Sequence, residues 1–299
     1  MSEVVHRPRQ LAELVTEHIR DGRFQRSLSL ITGVSSLVSG LEVAYEHYKG
    51  SYSNLIMYTP VTLSGVLTVA AIAGFFSGKA AETALRWTSA ITLLDGVTGF
   101  VFHVRGIQRK PGGWRVPVVN IIMGPPIFAP LLFGTAAYLG FMASYLRREE
   151  DPKHVRNRQY TGWRRELHEG QFQKHLAGVA AAWSVFSGVE AWYSHYKSRF
   201  KIWAQWTPVV LAPVQTAACI GAIFSQPVAR KMLPVASALC VVDGAVGFGY
   251  HVRGIASRSG GKKKWLYNIL YGPPVFAPLL FAACGALGLL ASLLRREGD

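Results

Sequence analysis

Four ionisable residues in the first half of the chain, Glu42, His47, Asp95 and His103, are of types that bind metal ions or transfer protons. Glu42 and Asp95 fall inside long apolar runs. An ionised acid at the centre of a membrane helix costs roughly 2.5–3.5 kcal/mol on insertion scales. Such an acid must be protonated, hydrogen-bonded or bound to a ligand, so the sequence predicts a functional role for this set.

The same residue types recur 148 positions later, without a gap in the alignment. The matching set is Glu190, His195, Asp243 and His251. The sequence HVRGI, for example, begins at His103 and again at His251. The chain is therefore an internal duplication, and the sequence predicts one cluster of acids and imidazoles in each copy.

The elements that must position these residues are apolar segments. Half of the 299 residues are apolar and only 16% are charged, a balance that is rare in soluble domains of this size. The apolar runs have the length that crosses a hydrocarbon core. They predict an all-α integral membrane protein with eight transmembrane helices near residues 28–45, 59–77, 84–104, 125–146, 176–193, 207–225, 232–252 and 273–294.

Each copy has four predicted spans, so the second copy enters the membrane from the same side as the first. A parallel repeat of this kind predicts a pseudo-two-fold axis along the membrane normal. We expect four segments: a surface segment over 1–26 with an amphipathic helical pattern, a four-helix repeat over 27–148, a charged cytoplasmic linker over 149–174, and a second four-helix repeat over 175–299.

The net charge of +15 does not indicate nucleic acid, because the basic residues lie at the ends of the apolar runs, where they anchor a helix to lipid headgroups. The side that carries both termini has 19 Lys and Arg residues, and the other side has 13. This difference predicts that both termini are cytoplasmic. The Trp- and Arg-rich flanks, such as residues 162–165, also predict contacts with other protein subunits.

Spans one and three of each copy run in the same direction, so their late residues meet at one face, which the charge count makes the outer face. A metal site there would use Glu42, His103 and His47, or Glu190, His251 and His195 in the second copy. Asp95 lies eight residues before His103, about 12 Å along a straight helix, and is expected to be a more distant acid or proton acceptor.

A b-type haem held between His47 and His103 is the alternative cofactor, because two parallel helices would each supply one imidazole. Gly96 and Gly99 could make room for the macrocycle, although close helix packing also uses glycines at this spacing. His47 and His103 could instead be interfacial anchors. Further residues expected to support the cluster or relay protons are Asp95, Asp243, Tyr48, Tyr196, Arg105, Arg253, Asn120 and Asn268.

The fourth span of each copy is preceded by a Gly-Pro-Pro turn, at Gly124-Pro125-Pro126 and at Gly272-Pro273-Pro274. Proline is incompatible with a continuous helix upstream but suits the first helical turn. We therefore expect span four to begin at Pro125 or Pro126, below the membrane surface. The stretch 114–123 would enter the membrane as a partly non-helical segment, and the positive end of the helix would face the cluster.

Three functions remain open from the sequence. The first is a membrane subunit that holds a metal ion or haem in each copy for electron transfer in a larger complex. The second is a transporter or proton pathway that uses the buried acids and the broken fourth helix. The third is a non-catalytic anchor or scaffold subunit. The sequence has no motif of a soluble enzyme, so a subunit is favoured over a stand-alone enzyme.

Overall fold

The computed structural model describes residues 23–146 and 172–293, and every regular element in these two ranges is helical. The chain divides into two units, Met1–Gln159 and Tyr160–Asp299, and the boundary falls within the segment expected to be a linker. The amphipathic pattern in the first 22 residues, most of the linker and the last six residues lie outside the described ranges.

The first unit contains four long helices: α1 (Arg23–Lys49), α2 (Thr59–Phe76), α3 (Arg86–Gln108) and α4 (Ala129–Leu146). A 3₁₀ turn at Leu55–Tyr58 leads into α2, and Pro60 occupies the first turn of that helix, where its missing N–H costs no hydrogen bond. A helical turn and a π-helical segment at Ala81–Leu85 precede α3. The local sequence thus sets where these helices begin.

Helix α1 packs against α2 and α4, and α3 packs against α4 and less extensively against α2. Small and hydroxyl side chains fill the interior, including Ser29, Thr32, Ser36, Ser89, Thr92 and Ser144. Large apolar side chains cover the outside, including Val66, Val69, Ile72, Leu94, Val97 and Val101. Small and hydroxyl residues at helix contacts, with large apolar residues outside them, are typical of helices that pack in lipid.

The second unit has α5 (Phe172–Lys197), α6 (Thr207–Phe224), α7 (Leu233–Ala256) and α8 (Ala277–Leu293). Adding 148 to the bounds of α2 gives the bounds of α6, and the starts of α4 and α8 differ by the same offset. A π-helical segment, Val228–Met232, precedes α7 as its counterpart precedes α3. The repeated sequence therefore forms similar local structure in both units.

The fourth helix begins later than the sequence predicts. Helix α4 starts at Ala129 rather than at Pro125 or Pro126, and residues 123–128 are non-helical. The segment 114–123, expected to be partly non-helical, is largely the short helix Pro117–Ile122. A residue that precedes proline is disfavoured in the α conformation, and Pro125, Pro126 and Pro130 impose this restriction on three positions within seven residues.

Within residues 23–146 and 172–293, five helical segments are long and apolar enough to cross a membrane: Arg26–Lys49, Leu55–Phe76, Gly78–Gln108, Trp203–Phe224 and Val228–Ala256. Ala277–Ser292 is a shorter apolar helix. The all-helical structure with these five segments is consistent with an integral membrane protein and with contact to a lipid bilayer.

Candidate functional site

His47 lies in the last turn of α1 and is held by the connection to α2. Its Nδ1 lies 2.6 Å from the carbonyl oxygen of Met57. The chain reverses through two residues with left-handed backbone, Ser51 and Tyr52, and the Tyr52 hydroxyl donates to the carbonyl of Ala44 at 3.0 Å. Because a carbonyl oxygen only accepts, His47 must donate its Nδ1–H to Met57, so Nε2 is the ring nitrogen that this hydrogen bond does not use.

His103 on α3 has the same arrangement. Its Nδ1–H donates to the carbonyl oxygen of Pro126, and the two atoms are 2.5 Å apart. In a continuous helix that oxygen would accept from residue 130, but Pro130 has no N–H. Here residues 123–128 are non-helical, so the Pro126 carbonyl lies outside the backbone hydrogen bonds of α4, and the imidazole of His103 donates to it.

The second unit repeats this hydrogen bond. His251 donates from Nδ1 to the carbonyl oxygen of Pro274 at 2.5 Å, and Pro278 is the residue four positions later that lacks an N–H. The sequence FAP after the Gly-Pro-Pro turn is therefore part of the site. Sequence reasoning missed the role of Pro130 and Pro278, although both prolines stand at matching positions of the repeat.

In the first unit, His47 is near enough to Asp95 and to His103 for its charge to influence both groups. In the second unit, His195 interacts with His251. The convergence of the late residues of spans one and three at the outer face stays a prediction. His47, rather than Asp95, is the residue that interacts with both other members.

Asp95 has a hydroxyl partner that the sequence analysis did not identify. The Thr59 hydroxyl lies 2.6 Å from Asp95 Oδ1 and 2.9 Å from the carbonyl oxygen of Ile56. Asp243 and Thr207 form the matching pair, and the Thr207 hydroxyl lies 2.9 Å from the carbonyl oxygen of Ala204. The Thr-Pro sequence at the start of α2 and α6 is the sequence feature from which this Thr–Asp pair could have been predicted.

The Thr59 hydroxyl has one hydrogen and two neighbouring acceptors. If Asp95 is ionised, the hydroxyl donates to the carboxylate. If Asp95 is protonated, the acid donates to Thr59 and Thr59 donates to the carbonyl of Ile56, so every group in the chain is satisfied. The geometry accommodates both protonation states of an acid inside the membrane segment.

Glu42 and Glu190 are partly buried on α1 and α5. Glu42 interacts electrostatically with Tyr45 on its own helix. No group of three or more His, Cys, Asp or Glu side chains within 23–146 and 172–293 has a metal-binding arrangement. The three-ligand metal set expected from Glu42, His47 and His103 is therefore not assembled in this structure.

Most of the other predicted supporting residues lie away from the imidazole pair. Asn120 is buried and donates both amide hydrogens to the preceding loop, at the carbonyls of Pro111 and Gly113. Asn268 is buried and donates to the carbonyl of Gly261. These two residues hold the loop that leads to the Gly-Pro-Pro turn. The side chains of the four remaining residues are exposed: Tyr48, Tyr196, Arg105 and Arg253.

The repeated glycines of α3 face the repeated prolines of the fourth segment. A Cβ atom at Gly99 would lie 3.0 Å from the Pro130 side chain, and one at Gly106 would lie 3.3 Å from Pro125. Pro130 therefore occupies the space that Gly96 and Gly99 were expected to open for a macrocycle. Close helix packing explains these glycines.

The second unit has the same interface. A Cβ atom at Gly247 would lie 3.0 Å from the Pro278 side chain, and one at Gly254 would lie 3.4 Å from Pro273. The sequences HVRGI and GPPxFAP are thus two sides of one helix contact, which explains why they are duplicated together.

The chain shows no significant similarity to any protein family, curated protein or solved structure with which it was compared.

Proposed function

We propose that the chain is an integral membrane subunit in which each unit binds one transition metal ion through its pair of imidazoles, for electron transfer in a larger complex. The proposal includes eight membrane helices in two parallel repeats related by a pseudo-two-fold axis. It also places both termini in the cytoplasm and the imidazole pairs near the outer face.

The fixed tautomer of His103 and of His251 is the observation that carries this proposal. A histidine that relays protons takes up a proton on one ring nitrogen and releases one from the other. Here Nδ1 is bound to a carbonyl oxygen, so only Nε2 is available. Histidines that ligate metals commonly donate their other N–H to a carbonyl group, which orients the ring and makes the ligating nitrogen more basic.

A metal ion is favoured over haem by the packing of α3 against α4, because Pro130 fills the space next to Gly96 and Gly99. Imidazole nitrogens suit copper, iron, zinc and nickel, and electron transfer requires copper or iron. Two imidazoles leave the remaining coordination positions to water or to a partner subunit. Asp95 beside His47 would supply nearby negative charge.

Elemental analysis and an absorption spectrum of the full-length protein in detergent test this function. We expect bound copper or iron in the wild type and loss of most of it in the His103→Ala/His251→Ala double variant. His175→Ala is the matched control, because His175 is exposed at the start of α5. Circular dichroism would verify that the variants are folded. A wild-type protein with no more metal than an unrelated membrane protein would exclude the proposal, and a haem spectrum would replace the metal ion with the alternative cofactor.

A proton pathway is the second candidate function, and the hydrogen-bonded pair of Thr59 and Asp95 favours it. An acid that is satisfied in both protonation states can load and release a proton. The test is proton flux into liposomes that contain the full chain and a pH-sensitive dye. Asp95→Asn/Asp243→Asn should abolish a protein-dependent flux, whereas a flux that the double variant retains would exclude these acids as its path.

A further inference from the structure

A groove of about 540 Å³ lies between α2 and α3, where these two helices pack less extensively. Five of its lining residues carry hydroxyl or carboxyl groups: Tyr58, Thr59, Thr62, Asp95 and Thr98. Leu63, Ile91 and Leu94 complete the wall. The exposed fraction is 50% for Ile91 and 68% for Leu94. The groove therefore opens onto the apolar outer surface of the unit.

We propose that this groove binds the ring of a lipid-soluble hydroquinone, with a ring hydroxyl donating to Asp95 and the apolar tail lying against the outer surface of α2 and α3. A hydroquinone is also the membrane-soluble electron donor that an electron-transfer subunit requires, so the choice of ligand rests on the proposed function.

The hydrogen-bonding groups in the groove call for a ligand of this kind. Asp95 uses Oδ1 with Thr59, and within the described ranges its second carboxyl oxygen has no hydrogen-bond partner. The hydroxyl of Thr98 donates to the carbonyl of Leu94 in its own helix and can only accept from a ligand. The hydroxyl of Thr62 has no partner among the described residues and can donate or accept. A ligand with hydroxyl groups complements all three.

The apolar lining of the groove favours a neutral ligand over a phospholipid headgroup. Leu63, Ile91 and Leu94 form its wall, and Ile91 and Leu94 are exposed on the outer surface. A charged headgroup would lose hydration against these side chains, whereas a neutral hydroquinone ring with an apolar tail has no charge to desolvate. The Tyr58 ring, stacked on Tyr52 with 4.2 Å between centroids, gives the groove a flat aromatic wall.

The second unit supplies an internal comparison. Asp243 and Thr207 keep the acid and hydroxyl pair, but Val210 and Val246 stand where the first unit has Thr62 and Thr98. The Thr-Asp pair is thus common to both units, and the two additional hydroxyl groups belong to the first unit only. We expect the first unit to be the one that binds the hydroquinone.

The test measures binding of radiolabelled decylhydroquinone to the full-length protein in phosphatidylcholine nanodiscs, kept anaerobic and compared with protein-free nanodiscs. The variant Thr62→Val/Thr98→Val gives the groove the residues of the second unit. Binding should weaken about tenfold, as expected for the loss of one or two hydrogen bonds. Thr88→Val is the matched control, because Thr88 also donates within α3 but lies outside the groove.

The dimethyl ether of decylhydroquinone has the same ring and tail without hydroxyl hydrogens, and it should bind at least several-fold more weakly. Equal binding of the ether, unchanged binding to the double valine variant, or no binding above protein-free nanodiscs would overturn the proposal. The last result would mean that bilayer lipid fills the groove.

The His103→Ala/His251→Ala variant separates this inference from the proposed function. That variant should lose metal and still bind decylhydroquinone, because its altered residues do not line the groove. A wild type that contains metal but does not bind decylhydroquinone would overturn the groove assignment alone. A wild type that binds decylhydroquinone without any metal would overturn the proposed function alone.

Discussion

His103 and Pro126 lie 23 residues apart and share one hydrogen bond, in which the imidazole donates to a carbonyl group of the non-helical segment before α4. This bond joins the first residue of the repeated HVRGI segment to the repeated Gly-Pro-Pro turn. It also fixes which ring nitrogen carries the proton. One contact thereby holds the non-helical segment before α4 in place and determines the tautomer of the imidazole.

The first prediction concerns this tautomer. In ¹⁵N NMR spectra of histidine-labelled protein, Nδ1 of His103 should be protonated and Nε2 unprotonated. Pro130→Ala removes the proline restriction on residue 129 and allows α4 to extend towards Pro126, where the new N–H of residue 130 can donate to the Pro126 carbonyl, so the His103 ring should then populate both tautomers. Pro60→Ala is the control, because Pro60 lies in the first turn of α2 and outside this contact. A wild-type His103 ring with its proton on Nε2 would contradict the assignment.

The second prediction concerns the contact between α3 and α4. A Cβ atom at Gly96 would lie 2.8 Å from the carbonyl oxygen of Pro130, a backbone atom that can move only with its helix. Gly96→Ala should therefore destabilise the protein by about 1–3 kcal/mol, the usual cost of overpacking. Unfolding in detergent with increasing denaturant gives this difference.

Gly65→Ala is the matched control for that measurement, because a Cβ atom at Gly65 meets nothing within 4 Å. Its effect on the free energy of unfolding should be small. Equal destabilisation by the two substitutions would show that loss of glycine in the helix backbone, and not the contact with Pro130, causes the effect.

The third prediction concerns Arg86, which lies near the start of α3. Its Nε donates to the Ser144 hydroxyl at 3.2 Å, its Nη2 donates to the Ser144 carbonyl at 3.0 Å, and its guanidinium group stacks 4.4 Å from the Tyr145 ring centroid. Arg86→Met should destabilise the protein by about 1–3 kcal/mol, because hydrogen bonds of a charged group to the end of α4 are lost. Thermal unfolding in detergent measures this loss.

Arg109→Met serves as the control for Arg86, since Arg109 is exposed at the end of α3. It should change the unfolding temperature by much less. The second unit has Pro234 at the position of Arg86, so this contact belongs to the first unit alone. Equal effects of both substitutions would mean that net charge, and not the Ser144 contact, determines the change.

The sequence predicts the position of most helices because their apolar runs and their starting prolines act locally. The Thr-Pro start of α2 follows from such a pattern. The start of α4 does not, because Gly124 to Pro130 contains three prolines and the helix could begin after any of them. The residue at which α4 begins depends on how Pro130 packs against Gly96 and Gly99, and these segments are distant in the sequence.

The sequence also does not predict which groups the polar side chains form hydrogen bonds with. Asn120 was expected beside the acids because it precedes the Gly-Pro-Pro turn, yet its amide satisfies carbonyl groups of the loop before it. A carbonyl group without a backbone donor arises only once the loop geometry is set. Single-sequence patterns do not reveal which side chain will satisfy it.

The last prediction uses a difference between the interiors of the two units. Gln215 is fully buried, and its Nε2 donates to the Ser237 hydroxyl at 3.0 Å. The corresponding residues of the first unit are Leu67 and Ser89, and the Ser89 hydroxyl has no partner within the described residues. The repeated backbone thus accepts either a hydrogen-bonded amide or a leucine beside this serine.

We therefore expect Gln215→Leu to cost less than about 1.5 kcal/mol, as a swap that nearly conserves volume. Gln215→Ala should cost about 2–4 kcal/mol, because it leaves a cavity as well as an unpaired serine. Denaturant unfolding of both variants in one detergent compares the two costs. If Gln215→Leu is as destabilising as Gln215→Ala, hydrogen bonding rather than volume dominates at this position. Leu67→Gln would then be expected to stabilise the first unit by giving Ser89 a partner.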